Sequence, residues 1–324
     1  MGALTLAVTG AAGFLGRRVV ALARQRGHDV RAFARGAVPE GWSGDGGIAV
    51  HRLDLAGPAA DLAGTLAGAL AGADAAIHLA ASLAGDEAAM RRDGEAATRA
   101  LLAAMGLAGV PRLVLASSLS VYAAGPPGGA IDEGSALEPR PDRRDAYARA
   151  KLAQEAVVRE AVVREAGLPQ AWVLRIGALF GPGRTWNAHL GPRLGPVLLR
   201  LGAGPLPVAW VEHAALACLL AAETRADGVE AVDVVDDDLP DARRFLAALG
   251  ARAPLAIPLP WRAFDAVAGL AGGLPGMPGL LRRPVLRARM MPRAWPNARL
   301  RDRLGWRPVH GFEAAMALSL GEAP

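Results

Sequence analysis

The chain of 324 residues is poor in several residue types, and each shortage excludes a class of protein. Its single cysteine, Cys218, excludes a disulfide framework and any multi-cysteine metal site, and we expect a cytoplasmic protein. No cluster of His, Asp and Glu has convincing metal spacing, so we predict no metal. No uninterrupted run of about 18 apolar residues occurs, so we predict no integral membrane segment.

Lysine and tyrosine are also scarce: Lys151 is the only lysine, and Tyr122 and Tyr147 are the only tyrosines. The net charge is +5, and almost every base is an arginine. Eight arginines and a single acid, Asp302, lie within residues 282–303. One or two of these arginines could clamp a substrate diphosphate, and the alternative is a solvated basic face. No aromatic-interleaved motif accompanies them, so we predict no nucleic-acid partner.

Short apolar runs alternate with helical spacing through the first half of the chain. The runs predict six strands, at Leu4–Thr9, Val30–Ala34, Ile48–Leu53, Ala75–Ala80, Arg112–Ala116 and Trp172–Ile176. The intervening spacing predicts helices at Phe14–Arg26, Pro58–Ala71, Asp86–Gly106 and Tyr147–Ala166. Such alternation is typical of βαβ units and a parallel sheet. A loop of about twenty residues, Gly125–Arg144, interrupts it, and loops of that length are usually functional.

A glycine-rich segment, Thr9–Gly16, joins the first predicted strand to the first helix. In such a loop one glycine makes the turn, the next lets backbone approach a pyrophosphate, and the third lets the helix pack on the strand. The helix N-terminus then faces the anion. A glycine turn without a ligand is the alternative. We therefore predict dinucleotide contacts at Gly10, Gly13, Phe14, Leu15 and Gly16.

The rare residues Tyr147 and Lys151 form a Tyr-x-x-x-Lys pair on a predicted helix. Their spacing places both side chains on one helix face, and a nearby ammonium lowers the pKa of a phenol. The pair is therefore a candidate proton shuttle, in which Lys151 would make the Tyr147 phenol more acidic. Ser118, just past a strand end, can bond a substrate oxygen, although Ser117 and Ser120 are rivals by chemistry.

These motifs resemble the short-chain dehydrogenase/reductase superfamily, in its extended branch of NAD-dependent epimerase/dehydratase-like enzymes. The resemblance implies catalytic roles for Ser118, Tyr147 and Lys151, and it favours Ser118 over its rivals. Further segments that match the family are Arg52–Leu55, His78–Ala81, Ala116–Tyr122, Arg175–Pro182 and Leu304–Pro308. The resemblance implies that Tyr147 is the acid/base and that Lys151 is its activator and a ligand of the cofactor ribose. It also implies cofactor contacts at Asp54, Leu55, Leu79, Ala80, Ala81, Tyr147 and Lys151. The chain departs from the family pattern at Ile176 and Phe180, around Asp93–Glu95, and at Val211–His213.

The fold predicted from these motifs is an α/β fold, a doubly wound parallel sheet of the Rossmann type with a smaller C-terminal lobe. We place an NAD(P)-binding domain at residues 1–180. Residues 181–324 would mainly bind substrate, with some segments returning to the sheet. The end of the second predicted strand carries no acid to bond a ribose 2′-hydroxyl, and Arg35 stands where a 2′-phosphate would lie. This predicts NADP, with NAD as the alternative cofactor.

The predicted activity is hydride transfer between a nicotinamide cofactor and a carbonyl or carbinol of a small-molecule substrate, most simply by a ketone reductase. A nucleotide-sugar epimerase or dehydratase with the same Ser/Tyr/Lys site is the first alternative, and a non-catalytic NADP-sensing regulator is the second. Substrate contacts are predicted at Ser120, Tyr122, Trp186 and His213. Many relatives pair through the helix that bears the tyrosine, so the resemblance also implies a homodimer.

Overall fold

The structure is a computed structural model, and it describes residues 2–57, 62–80, 90, 92–164, 170–201, 204–271 and 282–322. A parallel sheet of seven strands forms its centre, in the order β3-β2-β1-β4-β5-β6-β11. Its strands are β1 (Thr5–Thr9), β2 (Asp29–Ala34), β3 (Ile48–Arg52), β4 (Ala75–His78), β5 (Arg112–Ser118), β6 (Gln170–Ile176) and β11 (Val229–Val234). This topology confirms the predicted doubly wound Rossmann fold.

Helices cover both faces of this sheet, as the helical spacing of the sequence predicts. They are α1 (Phe14–Gln25), α2 (Leu62–Leu70), α3 (Ala97–Ala108), α4 (Ala146–Arg164) and α5 (Val211–Glu223). Helix α1 turns Leu15, Val19 and Ala23 into the core, and it packs against α5. Helices α2 and α3 pack on each other within a second apolar cluster. Because both sheet faces are covered, its central strands are apolar along their length.

The later chain contributes short strands and small helices. The strands are β7 (Ala178–Phe180), β8 (Arg193–Leu194), β9 (Val197–Arg200), β10 (Val208–Trp210) and β12 (Leu255–Pro258). The helices are α6 (Ala242–Ala248), α7 (Trp261–Ala271), α8 (Arg283–Met290), α9 (Ala298–Leu304) and α10 (Phe312–Leu320). None of these five short strands is predicted from the sequence. The proposed domain change near residue 180 stays a prediction.

One segment from the later chain, β11, pairs with β6 as the last strand of the central sheet. The long loop Gly125–Arg144 ends in a single 3-10 turn, Pro141–Arg143, just before α4. The carboxyl ends of β1, β4, β5 and β6 lie side by side at one edge of the sheet, because these strands are parallel neighbours. The residues that follow those ends therefore meet along one line, where the predicted site residues lie.

Candidate active site

The glycine loop after β1 needs its glycines for steric reasons that the structure makes explicit. Gly10 has φ +66°, and a Cβ there would lie 2.9 Å from the backbone N of Ala80. A Cβ on Gly16 would lie 2.2 Å from the carbonyl oxygen of Gly10. Only glycine lets the chain turn this closely past β4 and lets α1 pack against the loop.

The N-terminus of α1 is available to an anion. Gly13 precedes the helix with no side-chain cap, and no acid lies in the first turn. The first N–H groups of a helix have no partner within it and carry the positive end of its dipole. Phe14, Leu15 and Gly16 present these groups, so the loop fits the pyrophosphate of a dinucleotide.

A cavity of about 320 Å³ extends from this loop over the ends of β2, β3 and β4. Its lining brings together the loop and the predicted cofactor contacts; it includes Gly10, Gly13, Arg35, Asp54, Leu55, Leu79 and Ala80. Arg35 is the one base and Asp54 the one acid among its described lining residues. Phe14, Leu15 and Gly16 do not appear in this lining, and Ala81, a further predicted contact, lies outside the described residues. The cavity thus fits the adenosine half of a dinucleotide.

Ser118 and Tyr147 lie together at the carboxyl end of β5. Ser118 Oγ accepts a hydrogen bond from the Ser120 backbone N–H at 3.2 Å, which leaves its own hydrogen for Tyr147. Burial raises the pKa of the Tyr147 phenol, and the hydrogen bond with Ser118 and the charges of Arg184 and Arg289 oppose that rise. The Tyr-x-x-x-Lys spacing predicts a lowered pKa for the Tyr147 phenol. In this structure the pKa is raised instead, because desolvation of the phenolate outweighs the nearby positive charges.

Lys151 lies one turn further along α4, as the Tyr-x-x-x-Lys spacing requires. Its Nζ donates a hydrogen bond to the carbonyl oxygen of Ala116 at 2.7 Å and lies 6.0 Å from the centre of the Tyr147 ring. Burial lowers the pKa of Lys151 to about 8, although the charge of Glu155 opposes the shift. The ammonium is therefore mostly protonated at neutral pH, beside the phenol it is expected to activate.

A second cavity, of about 250 Å³, opens from Ser118 and Tyr147. Two of the predicted substrate contacts, Ser120 and Trp186, line it. Its other described lining residues include Arg144, Arg184, Asn187, His189, Arg289 and Trp295. These residues are not predicted as individual contacts from the sequence. Two features of the sequence pointed to part of the set: the long loop, which ends at Arg144, and the basic stretch 282–303, which contains Arg289.

The other two predicted substrate residues do not line this cavity. Tyr122 is buried, donates to Asp233 Oδ1 at 2.7 Å and accepts from Arg175 at 2.9 Å. His213 is buried and bonds Asp236 at 2.9 Å through Nδ1. Both rings belong to hydrogen-bond networks of the core, so the structure gives them no contact with a ligand there.

The basic stretch 282–303 is largely neutralised within the molecule. Asp265 pairs with Arg283 and Arg287, and Glu230 pairs with Arg299 and Arg303. With the pair of Arg301 and Asp237, they account for five of the eight arginines without a ligand or a bare basic surface. Arg289 differs, because it bonds Asp145 at 2.9 Å and also lines the second cavity.

Comparisons with known proteins show the family of this chain. A model of the NAD dependent epimerase/dehydratase family matches residues 6–206. This chain belongs to that family. A protein from Streptomyces sp., described as a 3-diazoavenalumate denitrifying reductase, is 30% identical over 320 residues, which cover 94% of this chain and 95% of the relative.

Solved structures share the fold. MoeE5 in complex with UDP-glucuronic acid and NAD has a TM-score of 0.74 at 21% identity, with 98% of both chains covered. The Thermus thermophilus UDP-glucose 4-epimerase complex with NAD has a TM-score of 0.72 at 21% identity, again over 98% of both chains. At these identities the likeness shows the fold alone.

Two further observations concern the described part of the chain. No helix in it is long and apolar enough to span a membrane. Within the same residues, no group of three or more His, Cys, Asp or Glu side chains is arranged to hold a metal ion.

Proposed function

We propose that this protein is an NADP-dependent reductase of a ketone or aldehyde with a compact, partly aromatic body. The observation that carries the proposal is the second cavity: Ser118 and Tyr147 open into about 250 Å³ of space that Trp186 and Trp295 also line. Pockets for drug-sized ligands usually enclose ~300–1,000 Å³, so this space suits a small substrate. The Streptomyces relative is also named a reductase, although its name gives a diazo compound as the substrate, so it supports the reductase class and not the carbonyl substrate.

In this mechanism the bound nicotinamide supplies the hydride. Ser118 donates a hydrogen bond to the carbonyl oxygen and fixes its position beside Tyr147. Tyr147 gives its phenolic proton to that oxygen as the carbinol forms. Lys151 stabilises the resulting phenolate with its ammonium group, which its pKa of about 8 keeps mostly charged at neutral pH.

The cofactor preference rests on the lining of the first cavity. Arg35 follows β2 in an exposed position, and Asp54 at the end of β3 is the only described acid in that lining. A guanidinium binds a phosphate bidentately. We therefore assign NADP(H) rather than NAD(H), and calorimetry with both cofactors tests it: tighter binding of NAD(H) contradicts the assignment.

A nucleotide-sugar epimerase or dehydratase is the second candidate. It is favoured by the UDP-sugar complexes among the structural neighbours and by the arginines of the second cavity. We also expect a homodimer, as the family resemblance implies, with light scattering as its test. A cofactor-sensing regulator is disfavoured, because a sensor needs no Tyr147–Lys151 pair.

Consumption of NADPH separates the candidates. A reductase oxidises one NADPH for each carbonyl reduced, whereas an epimerase or dehydratase returns the hydride and shows no net change in NADPH absorbance. We expect turnover with aromatic aldehydes or ketones and none with UDP-sugars. Strong thermal stabilisation by a UDP-, GDP- or dTDP-sugar, without ketone-dependent NADPH oxidation, would favour the nucleotide-sugar enzyme over the reductase.

A further inference from the structure

The described lining of the second cavity contains three arginines, Arg144, Arg184 and Arg289, but no aspartate or glutamate. Arg144 and Arg289 have carboxylate partners elsewhere, Glu138 at 3.4 Å and Asp145 at 2.9 Å. A cavity walled by one sign of charge attracts a ligand of the opposite sign.

Arg184 differs from the other two arginines because no described carboxylate forms an ion pair with it. Its guanidinium stacks over the Phe14 ring, 5.5 Å from the ring centre, and its charge acts on the Tyr147 phenol. The side chain is exposed between the glycine loop and the catalytic pair. It is therefore placed to meet a substrate beside the reacting carbon.

Hydrogen-bond donors without partners lie in the same wall. Asn187 is buried, and its Oδ1 accepts from the His189 backbone N–H while its Nδ2 has no partner. The Ser120 hydroxyl and Nε of Arg144 are likewise buried without partners. Buried polar groups are normally satisfied, so unmet donors that gather at one cavity indicate an acceptor-rich ligand.

We infer that this cavity reads a carboxylate on the substrate, with Arg184 as its counter-ion and Asn187 as a neutral donor. The inference rests on the proposed function and names the substrate class: an oxo acid or an aromatic acid that carries the carbonyl. A nucleoside diphosphate fits less well, because the space is smaller than the cavity assigned to half of one dinucleotide.

Calorimetry on the NADP⁺-saturated protein tests the inference without requiring turnover. The probes are trans-cinnamate and its uncharged amide, with inorganic phosphate and UDP as separate arms. We expect cinnamate to bind at least about tenfold more tightly than the amide, since hydrogen bonds to a charged partner are the strong ones. Equal affinity for acid and amide, or no binding of the acid at millimolar concentration, overturns it. Tighter binding of phosphate or UDP overturns the carboxylate in favour of a phosphate group.

Substitution assigns the effect to a residue. Arg184→Gln should weaken cinnamate about tenfold and leave the amide unchanged, with Arg184→Lys intermediate. Arg243→Gln removes the same charge from the exposed face of α6 and should change neither affinity. Equal losses for acid and amide in Arg184→Gln contradict the role of its charge. Reduction of neutral cinnamaldehyde with NADPH tests the proposed function separately, so either idea can fail alone.

Discussion

The two cavities are built by different means. The cofactor cavity is made mainly of backbone and small residues that directly follow β1, β2, β3 and β4, so local motifs encode it. The second cavity, which is the substrate cavity of the proposed function, combines residues at the ends of β5 and β6 with large side chains from the loop before α4, the segment after β7 and helix α8. The cofactor cavity depends on glycines that have no room for a side chain, whereas the substrate cavity depends on side chains that can be substituted. This difference explains how one family keeps its cofactor chemistry while its substrates vary.

The largest expected effect lies where the cavities meet. Tyr147→Phe should lower kcat/KM by about 10²–10⁴-fold, the usual contribution of general acid–base catalysis. Cofactor affinity should stay near that of the wild type, because only the hydroxyl is removed. Steady-state rates of aldehyde reduction with NADPH and calorimetry with NADP⁺ measure the two quantities. Near-normal turnover would remove this mechanism.

Among substitutions of the loop glycines by alanine, Gly16→Ala should distort the backbone of the cofactor cavity most. The new Cβ would lie 2.2 Å from the Gly10 carbonyl oxygen, so backbone must move. We expect a stability loss of about 1–3 kcal/mol and a large loss of NADP⁺ affinity. Chemical unfolding and calorimetry measure both. Gly36→Ala, where a Cβ meets no atom within 4 Å, is the matched control along the same cavity.

Lys151→Met should lower activity and yet stabilise the fold. The lysine pKa is about 8 in the folded chain and 10.5 in the unfolded one. Between these values the unfolded chain binds more protons, so wild-type stability rises with pH. The variant should be more stable by about 1–3 kcal/mol at pH 7, after the lost bond to Ala116 is subtracted, and the gain should shrink toward pH 10. Unfolding at several pH values tests this, and a gain independent of pH would contradict it.

Arg35→Ser should change cofactor choice without affecting substrate. Removal of a guanidinium that bonds a phosphate should weaken NADP⁺ about tenfold and leave NAD⁺ unchanged. The ratio of the two dissociation constants is its own internal control. An unchanged ratio would move NADP recognition elsewhere.

Trp186→Ala should affect only the substrate cavity. We expect a rise of several-fold in KM for an aromatic aldehyde, because an indole wall of the cavity is lost. Affinity for NADP⁺ should not change. Trp261→Ala, on α7 and outside the described lining of both cavities, is the control. Equal effects of the two substitutions would show a general loss of packing.

The cofactor cavity could be predicted from the sequence to a larger extent than the substrate cavity. The order of strands and helices, the glycine loop and the Tyr147–Lys151 spacing are contiguous in sequence, and the structure confirms the fold and places these residues around one line of strand ends. The substrate wall depends on side chains that meet only after folding. Tyr122 and His213 show the limit: their residue types suggested a pocket, but partners distant in sequence, Asp233 and Asp236, hold both rings in the core.

Strand β11 has a consequence for the order in which the protein can fold. The edge of β6 stays open until residues 229–234 have been synthesised, because they supply its outer partner. Until then a nascent chain presents the apolar strand Gln170–Ile176 with unpaired backbone groups, a template for pairing with other chains. A fragment cut after residue 180 would keep that edge open permanently. The central sheet is therefore completed only by chain that lies beyond Ser118, Tyr147 and Lys151.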